Sequence, residues 1–296
     1  MSNHTHETVP TEFVEAEGVR HAYRRFGKAG AVPLLFLGYF NSNMDAWDPE
    51  VTNGLAVDHE VILFDNAGVG ASGGETPHTV AEMMFGCVAF CRALGIKAIH
   101  LVGFSLGGMI TQQLALHHPD LVQRLILLGT APRGGEGLTF TELSAEEQAD
   151  PSAFLLGAFF TSSDASQAAG REYLKRLESR TKDRDLPTSS KSAVAQLAAI
   201  REWGAIPSTN RYATLKNIAQ QTLIVHGNKD IVVGPINALI LAEHLPNAQL
   251  IVYSDSSHGA QYQHAGTFLQ HAGLFLADMR AQLSDPSFGP ARSAVA

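Results

Sequence analysis

The sequence predicts an α/β protein: an eight-stranded, mostly parallel sheet with helices on both faces, plus a helical cap insertion. Three observations predict it. Eight short apolar runs recur along 296 residues, most of them continuous rather than alternating. A strand that is apolar at nearly every position belongs to a sheet buried on both faces. Helical periodicity fills most of the gaps between these runs, and strands that alternate with helices form parallel crossovers. One gap breaks the alternation: about 90 residues between Gly129 and Gln221 carry helical patterns but no convincing strand, and a structureless loop of that length is improbable.

In chain order, residues 1–10 read as a loose polar tail. Thr11–Ala16 and Val19–Phe26 read as strands turning at Gly18. "VPLLFLG" (32–38), "EVILFDN" (60–66) and "AIHLVGF" (98–104) follow. "VQRLILLG" (122–129), "QTLIVHG" (221–227) and "AQLIVYSD" (248–255) complete the set. Thr79–Glu82 is a capping box, with Met83, Cys87, Cys91 and Leu94 continuing a helical stripe. Leu106–His117 follows the fifth strand, and Pro235 opens a helix carrying Ile236, Leu239, Ile240 and Leu245. Gly266–Leu283 is the last helix, with Phe268, Leu269, Ala272, Phe275, Leu276 and Met279 on one stripe.

The long gap predicts three further helices. One starts at the Ser144–Glu147 capping box. Gln167–Arg180 is the second, with a Glu172/Arg176 pair at i, i+4. Ser190–Trp203 is the third, stopping at Gly204. The expected organisation is therefore a core formed by 1–131 and 213–296, with a helical cap at 132–212 over one end of the sheet. There are no internal repeats and no low-complexity tract.

Composition excludes several function classes. Apolar residues make up 45%, enough for a large core, and 21 basic against 29 acidic residues give a net charge of -8. There is no basic stripe, so neither nucleic acid nor an anionic membrane is an expected partner. No run of about 18 apolar residues predicts a membrane span. The start, MSNHTHETVP, lacks a basic region followed by an apolar one, so no secretory leader is expected. The two cysteines, Cys87 and Cys91, share a helix face. They read as a small buried apolar pair rather than a metal or redox pair, and suit a reducing cytoplasm.

The chemistry centres on "LVGFSLGGM" (101–109). Gly103-Phe104-Ser105-Leu106-Gly107 follows a strand and opens a helix, the setting of a nucleophile elbow. There a serine is held in a strained turn above the sheet, and a side chain in place of either glycine would collide with a neighbouring element. The helix aims its N-terminal N–H groups at a developing oxyanion. Such a serine needs a base, and the base an orienting acid, in the chain order Ser, Asp or Glu, His, each beyond a strand end. "LIVHGNKDIVV" supplies Asp230 and "LIVYSDSSHGAQ" supplies His258. The oxyanion donors fall to the backbone N–H groups of Leu106 and of Tyr39, with Phe40 next, in the loop after the third strand.

The other candidates read more plainly. His117 and His118 end a helix before Pro119 and belong on the surface. His226 reads as a packing or hydrogen-bonding residue. His100 lies in a strand, and His244, His264 and His271 lie on helices. Asp255 shapes a turn, and Asp65 is expected to cap the glycine-rich turn of "FDNAGVGASGG". That turn matches neither a P-loop nor a dinucleotide fingerprint, and no cofactor or metal is expected. "FLLGAFF" (154–160) is either an apolar pocket wall or the cap's own core. Leu155, Phe159 and Phe160, with Phe40 and Phe104, are the candidate substrate pocket.

On "GFSLGG", "FDNAGVGASGG", "HGNKD" and "DSSHG", the chain resembles the α/β-hydrolase superfamily over residues 11–283, in its capped carboxylesterase, non-haem haloperoxidase-like and C–C hydrolase branches. The resemblance implies Ser105 as nucleophile, His258 as general base and Asp230 as orienting acid. Two positions depart from it: Leu37-Gly38 stands where many relatives have His-Gly, and Ala67 where many have Arg. Dehalogenases and epoxide hydrolases of this fold place Asp at the elbow, so Ser105 directs the expectation to small or medium apolar esters or lactones. Cofactor-free oxygenation or perhydrolysis on the same scaffold, and a non-enzymatic ligand receptor, are the competing readings.

Overall fold

The computed structural model describes residues 4–30, 32–138, 144, 149–207 and 210–277. Its strands are β1 (Glu12–Ala16), β2 (Val19–Gly27), β3 (Leu34–Leu37), β4 (Glu60–Phe64), β5 (Ile99–Phe104), β6 (Val122–Leu128), β7 (Gln221–Gly227) and β8 (Ala248–Tyr253). They form one eight-stranded sheet in the order β1-β2-β4-β3-β5-β6-β7-β8. β2 runs antiparallel to β1 and β4, and every other neighbouring pair is parallel. Each predicted strand is present within two residues of its expected bounds.

Alternate residues of the central strands point to opposite faces, and each face carries its own core. Leu35, Leu37, Ile62, Leu101, Leu125 and Ile224 pack on one side. They face α2 (Val80–Ala93), α3 (Leu106–His117) and a later helix, α7 (Ile236–His244). Leu34, Phe36, Leu63, Val102, Ile126 and Val225 pack on the other, against α1 (Pro49–Ala56) and α9 (Ala265–Leu276). Burying each such side chain is worth about 1.5–3 kcal/mol, which is why a sheet apolar at every position needs helices on both sides. Cys87 and Cys91 are fully buried in the first core as free thiols.

Between β6 and β7 lie α4 (Pro151–Phe159), α5 (Asp164–Leu177) and α6 (Ser190–Gly204). Each starts on a side-chain cap: Asp150 accepts from the Ala153 N–H, Ser163 from Ser166 and Ser189 from Ser192. α6 starts at Ser190 as expected, and the other two starts differ from expectation. α5 begins three residues before Gln167 because Ser163 nucleates it. The helix expected from Ser144 lies mostly outside the described residues, as do Met279 and the end of the last helix. That last helix starts at Ala265, after a separate turn, α8 (Ala260–Gln263).

Two electrostatic expectations are also corrected. Glu172 pairs with Lys175, not with Arg176. Arg176 reaches off its own helix to make two hydrogen bonds, of 2.8 and 2.7 Å, with Asp48. Asp48 is fully buried as the N-cap of α1. A buried carboxylate needs a charged partner more than an exposed i, i+4 pair does. Asp65 does not cap the glycine-rich turn through its side chain. Its carboxyl is buried beside Asp185, in a cluster where Arg24 contacts Asp45 at 2.5 Å and Asp185 at 3.2 Å. The turn is held instead by the Asp65 carbonyl, which accepts from Ser72 Oγ at 2.7 Å. Among the described residues no helix is long and apolar enough to cross a membrane.

Candidate active site

Ser105 sits between the end of β5 and the start of α3 at φ 53°, ψ -113°, a conformation that L-residues rarely adopt. Its neighbours hold it there. The Ser105 N–H donates to the Leu128 carbonyl at 2.9 Å, and Thr130 Oγ donates to the Ser105 carbonyl at 2.7 Å. Gly107 lies so close to β3 that a Cβ there would overlap the Leu37 carbonyl, and a Cβ on Gly103 would overlap Thr111. The two glycines therefore let α3 start directly against the sheet.

The loop after β8 brings His258 back over the sheet end. Its ring lies 4.8 Å from that of Phe104, the residue before Ser105, and 5.6 Å from Phe159. A Cβ on Gly129, at the end of β6, would come within 3.1 Å of His258 Nδ1. α4 pins this loop: the His258 and Gly259 N–H groups donate to the carbonyls of Ala158 and Phe159. His258 Nδ1 is 2.8 Å from Asp230 Oδ2. Asp230 follows β7, and its other oxygen accepts the N–H groups of Val232 and Val233, both at 2.8 Å.

Ser105, Asp230 and His258 are all buried, at 5%, 5% and 3% exposure. Burial alone would raise the Asp230 pKa. The charge of His258 and hydrogen bonds from His226 and His258 outweigh it and hold the carboxyl well below the usual carboxylate range. His226 supplies one of these bonds. Its Nε2 lies 2.7 Å from the Val233 carbonyl, which can only accept, so Nε2 carries the proton, and Asp230 Oδ2 is 3.1 Å away. Among the described residues no hydrogen bond joins Ser105 Oγ to His258.

Leu106 is the first residue of α3, so its N–H has no partner in the helix ladder. Tyr39, two residues beyond β3, has no described partner for its N–H either. Its carbonyl accepts from the Ser42 N–H at 3.2 Å and from Ser42 Oγ at 2.7 Å. The next turn of this loop is held from α6, where Gln196 Oε1 accepts the Asn41 N–H at 2.7 Å. Burial pushes the Tyr39 phenol up to about 12, so it stays neutral.

A narrow cleft reaches these donors. Gly38, Tyr39 and Leu106 line it, together with Trp47, Asn66 and Gln196. None of Phe40, Phe104, Leu155, Phe159 or Phe160 does. Phe104 and Phe159 instead cover His258, with Tyr39 5.0 and 5.1 Å from them. Phe160 is buried against Tyr173, and Phe40 and Leu155 are half-buried in the two cores. "FLLGAFF" thus covers the site at Phe159 and packs internally at Phe160. Among the described residues no group of three His, Cys, Asp or Glu side chains converges to hold a metal ion.

A sequence model of the alpha/beta hydrolase fold family matches residues 32–265. The chain belongs to that family. An alpha/beta hydrolase fold protein from Chitinophaga pinensis superposes with a TM-score of 0.88 at 38% identity, covering 93% of this chain and 100% of the other. A structure described as Est816, an N-acyl homoserine lactone degrading enzyme, superposes with a TM-score of 0.69 at 26% identity, covering 90% and 100%. A 2-hydroxymuconate semialdehyde hydrolase of Pseudomonas putida is 28% identical over 228 residues, 75% of this chain and 78% of that protein. Where the resemblance implied a loop histidine, this alpha/beta hydrolase has Leu37 buried in the core, and Ser42 and Gln196 brace the loop.

Three features of the site escaped the sequence reading. Gln196 was signalled weakly, since it falls on the same helical stripe as Ala199, Ile200 and Trp203, an odd place for an amide. Asp48-Pro49-Glu50 signalled α1 by an N-cap, a proline at N1 and an acid in the first turn. The Arg24–Asp45–Asp185 cluster had no local signal, because its members are far apart in the chain.

Proposed function

We propose that the chain is a serine hydrolase of small or medium apolar esters or lactones, working through an acyl-enzyme. The observation that carries this reading is the buried His258–Asp230 hydrogen bond of 2.8 Å, set beside the strained turn that presents Ser105. In this reading Nδ1–H of His258 donates to the Asp230 carboxylate, which leaves Nε2 as the base. Nε2 takes the Ser105 proton as Oγ attacks the carbonyl carbon. The tetrahedral oxyanion is met by the N–H groups of Tyr39 and Leu106. Collapse of the intermediate expels the alcohol, protonated by His258, and leaves the acyl group on Ser105. His258 then deprotonates a water that hydrolyses the acyl-enzyme. His226 donates to Asp230 from the far side, which keeps the carboxylate ionised and its oxygen aimed at His258.

The likeness to a lactone-degrading enzyme at 26% identity supports a lactone or ester as substrate. Residues 132–212 act as the cap in this reading, with Phe159 closing the site over His258. The substrate is a small molecule, no cofactor takes part, and the chain works in the cytoplasm. A fluorophosphonate reagent tests the reading: it should add once, at Ser105, as read by intact mass and peptide mapping. Labelling elsewhere, or none in a folded sample, would remove Ser105 from the mechanism.

One observation favours a second reading. His258 is hydrogen-bonded to Asp230 and not to Ser105. A His–Asp pair of that kind could deprotonate a substrate directly, as cofactor-free oxygenation requires. Open geometry of this kind is also common before substrate binds, and the strained serine turn is of most use to a nucleophile.

A further inference from the structure

The cleft beside the Tyr39 and Leu106 N–H groups is lined partly by apolar side chains: Leu37, Trp47, Phe64, Met83 and Ile110. Three of its polar side chains are already committed. Ser42 Oγ donates to the Tyr39 carbonyl and Thr76 Oγ to the Ala67 carbonyl. Asn43 accepts from the Asp45 N–H and donates to the Leu186 carbonyl. Two amides differ. Gln196 is 5% exposed and its Oε1 is taken by the Asn41 N–H at 2.7 Å. Asn66 is half-buried and its Oδ1 is taken by the Ala67 N–H at 2.9 Å. With each oxygen fixed by a backbone donor, neither amide can flip without leaving that N–H unpaired. What both can offer to the cleft is an –NH2 group, and no hydrogen bond among the described residues uses either one.

We infer that Gln196, assisted by Asn66, is a specificity-determining residue that donates hydrogen bonds to a second, neutral carbonyl on the acyl part of the substrate. Donors with no acceptor of their own, buried beside the carbonyl-binding loop, select for an oxygen acceptor and against a plain hydrocarbon, because the latter leaves them unpaired. The acceptor is neutral rather than a carboxylate. No lysine, arginine or histidine lines the cleft, so nothing there offsets the charge of a carboxylate. The favoured substrate is therefore an oxo- or acylamino-acyl ester or lactone, its extra carbonyl a few bonds from the one attacked. This rests on the hydrolase reading above.

The test compares 4-nitrophenyl hexanoate with its 3-, 4- and 5-oxo derivatives, which differ by one oxygen each. At least one oxo ester should show a kcat/KM about five- to tenfold above hexanoate, the value of one hydrogen bond to a neutral group. Gln196→Glu keeps the acceptor for Asn41 and removes the donor. It should bring that ratio to twofold or less, and Asn66→Asp should lower it in part. A wild-type ratio near one for all three derivatives would overturn the inference. So would a ratio that survives Gln196→Glu, or an equal loss on every ester, which would make Gln196 only a brace for the loop. Dissociation constants of hexanamide and the matching oxohexanamides, by calorimetry in the same variants, give the same ratio without turnover. If no ester is cleaved and Ser105 takes no fluorophosphonate, the hydrolase reading fails, and the amide binding ratios then decide the inference by themselves.

Discussion

A serine at φ 53° carries strain of about 1–3 kcal/mol that the surrounding bonds must hold in place. If that strain serves nucleophilic attack, Ser105 and His258 act as one unit. Ser105→Ala and His258→Ala should each lower kcat by a similar factor of about 10⁴ or more, and the double variant should lose little beyond either. Measured turnover with oxygen uptake followed in parallel decides between the two readings. Near-normal turnover in Ser105→Ala with oxygen consumption would make the His–Asp pair the reacting unit and the serine a bystander. Tyr39 makes a second test at this scale, because its phenol is held neutral by burial and only its N–H is assigned a role. Tyr39→Phe should change kcat by less than about threefold. Tyr39→Pro deletes the donor and should cost about 100-fold or more. A large loss in the Phe variant would show that the hydroxyl itself takes part.

At the scale of elements, the strands were the most legible part of the sequence. Each is a short run apolar at nearly every position, and burial on both faces produces that signature directly. Helix ends were less so. The start of α5 is decided by Ser163, which differs little from its neighbours in sequence but is the residue whose hydroxyl reaches the Ser166 N–H. The places of Ser105, Asp230 and His258 beyond strand ends were legible because the strands themselves were. Gln196 was signalled only by its place on an apolar stripe and Asn66 not at all, because an amide stands out only once its oxygen is seen to be occupied. Arg176 was assigned to the wrong partner for a similar reason: pair spacing on a helix says nothing of a buried carboxylate from another element. Arg176→Met leaves Asp48 buried and unpaired. Losing one partner of a buried pair costs about 3–5 kcal/mol, and Arg176 keeps a 28% exposed side chain, so a loss of about 2 kcal/mol is expected. The urea midpoint should fall accordingly, and no change would mean that water replaces the guanidinium.

At the scale of the whole molecule, the segment between β6 and β7 is tied to the sheet by charge and by core. The charged tie runs through Asp185. Its backbone N–H donates to Asp45 at 2.8 Å, and its carboxyl faces Arg24, Arg180, Asp45, Asp65 and Asp183. Burial first, and then the neighbouring carboxylates, raise its pKa to about 6 against the attraction of the arginines. A carboxyl with a raised folded pKa contributes stability below its unfolded value of about 4 and loses it as pH rises through the folded one. Buried His6 and His100, each held down to about 4, pull the opposite way over the same range, so the quantity to read is a difference: the melting temperature of the wild type relative to that of Asp185→Asn should decline between about pH 4 and 7. A difference that stays constant with pH would assign the titration to another group.

The apolar tie makes the two tryptophans of the chain separate reporters. Trp47 lies in the loop before α1, 2% exposed, with its ring 4.9 Å from Phe36 of β3. Trp203 lies on α6, 3% exposed, and donates to the Ala131 carbonyl at 3.1 Å. Each sits in a core that mixes the two parts of the chain. Trp203, Ile200 and Leu138 share one with α2 and α3, and Phe159, Phe160 and Tyr173 share the other with Trp47 and Phe104. Neither core closes without residues from the β6–β7 segment, so the segment should not unfold ahead of the sheet. In urea, Trp47→Phe and Trp203→Phe leave one reporter each, and the two fluorescence transitions should have coincident midpoints once each is referred to circular dichroism of the same variant. A Trp203 transition that precedes the loss of circular dichroism, with Trp47 following later, would define the segment as a separate unit that opens over an intact sheet. Coincidence would mean that access to Ser105 depends on smaller movements, such as that of the Phe159 side chain, whose ring lies 5.6 Å from that of His258.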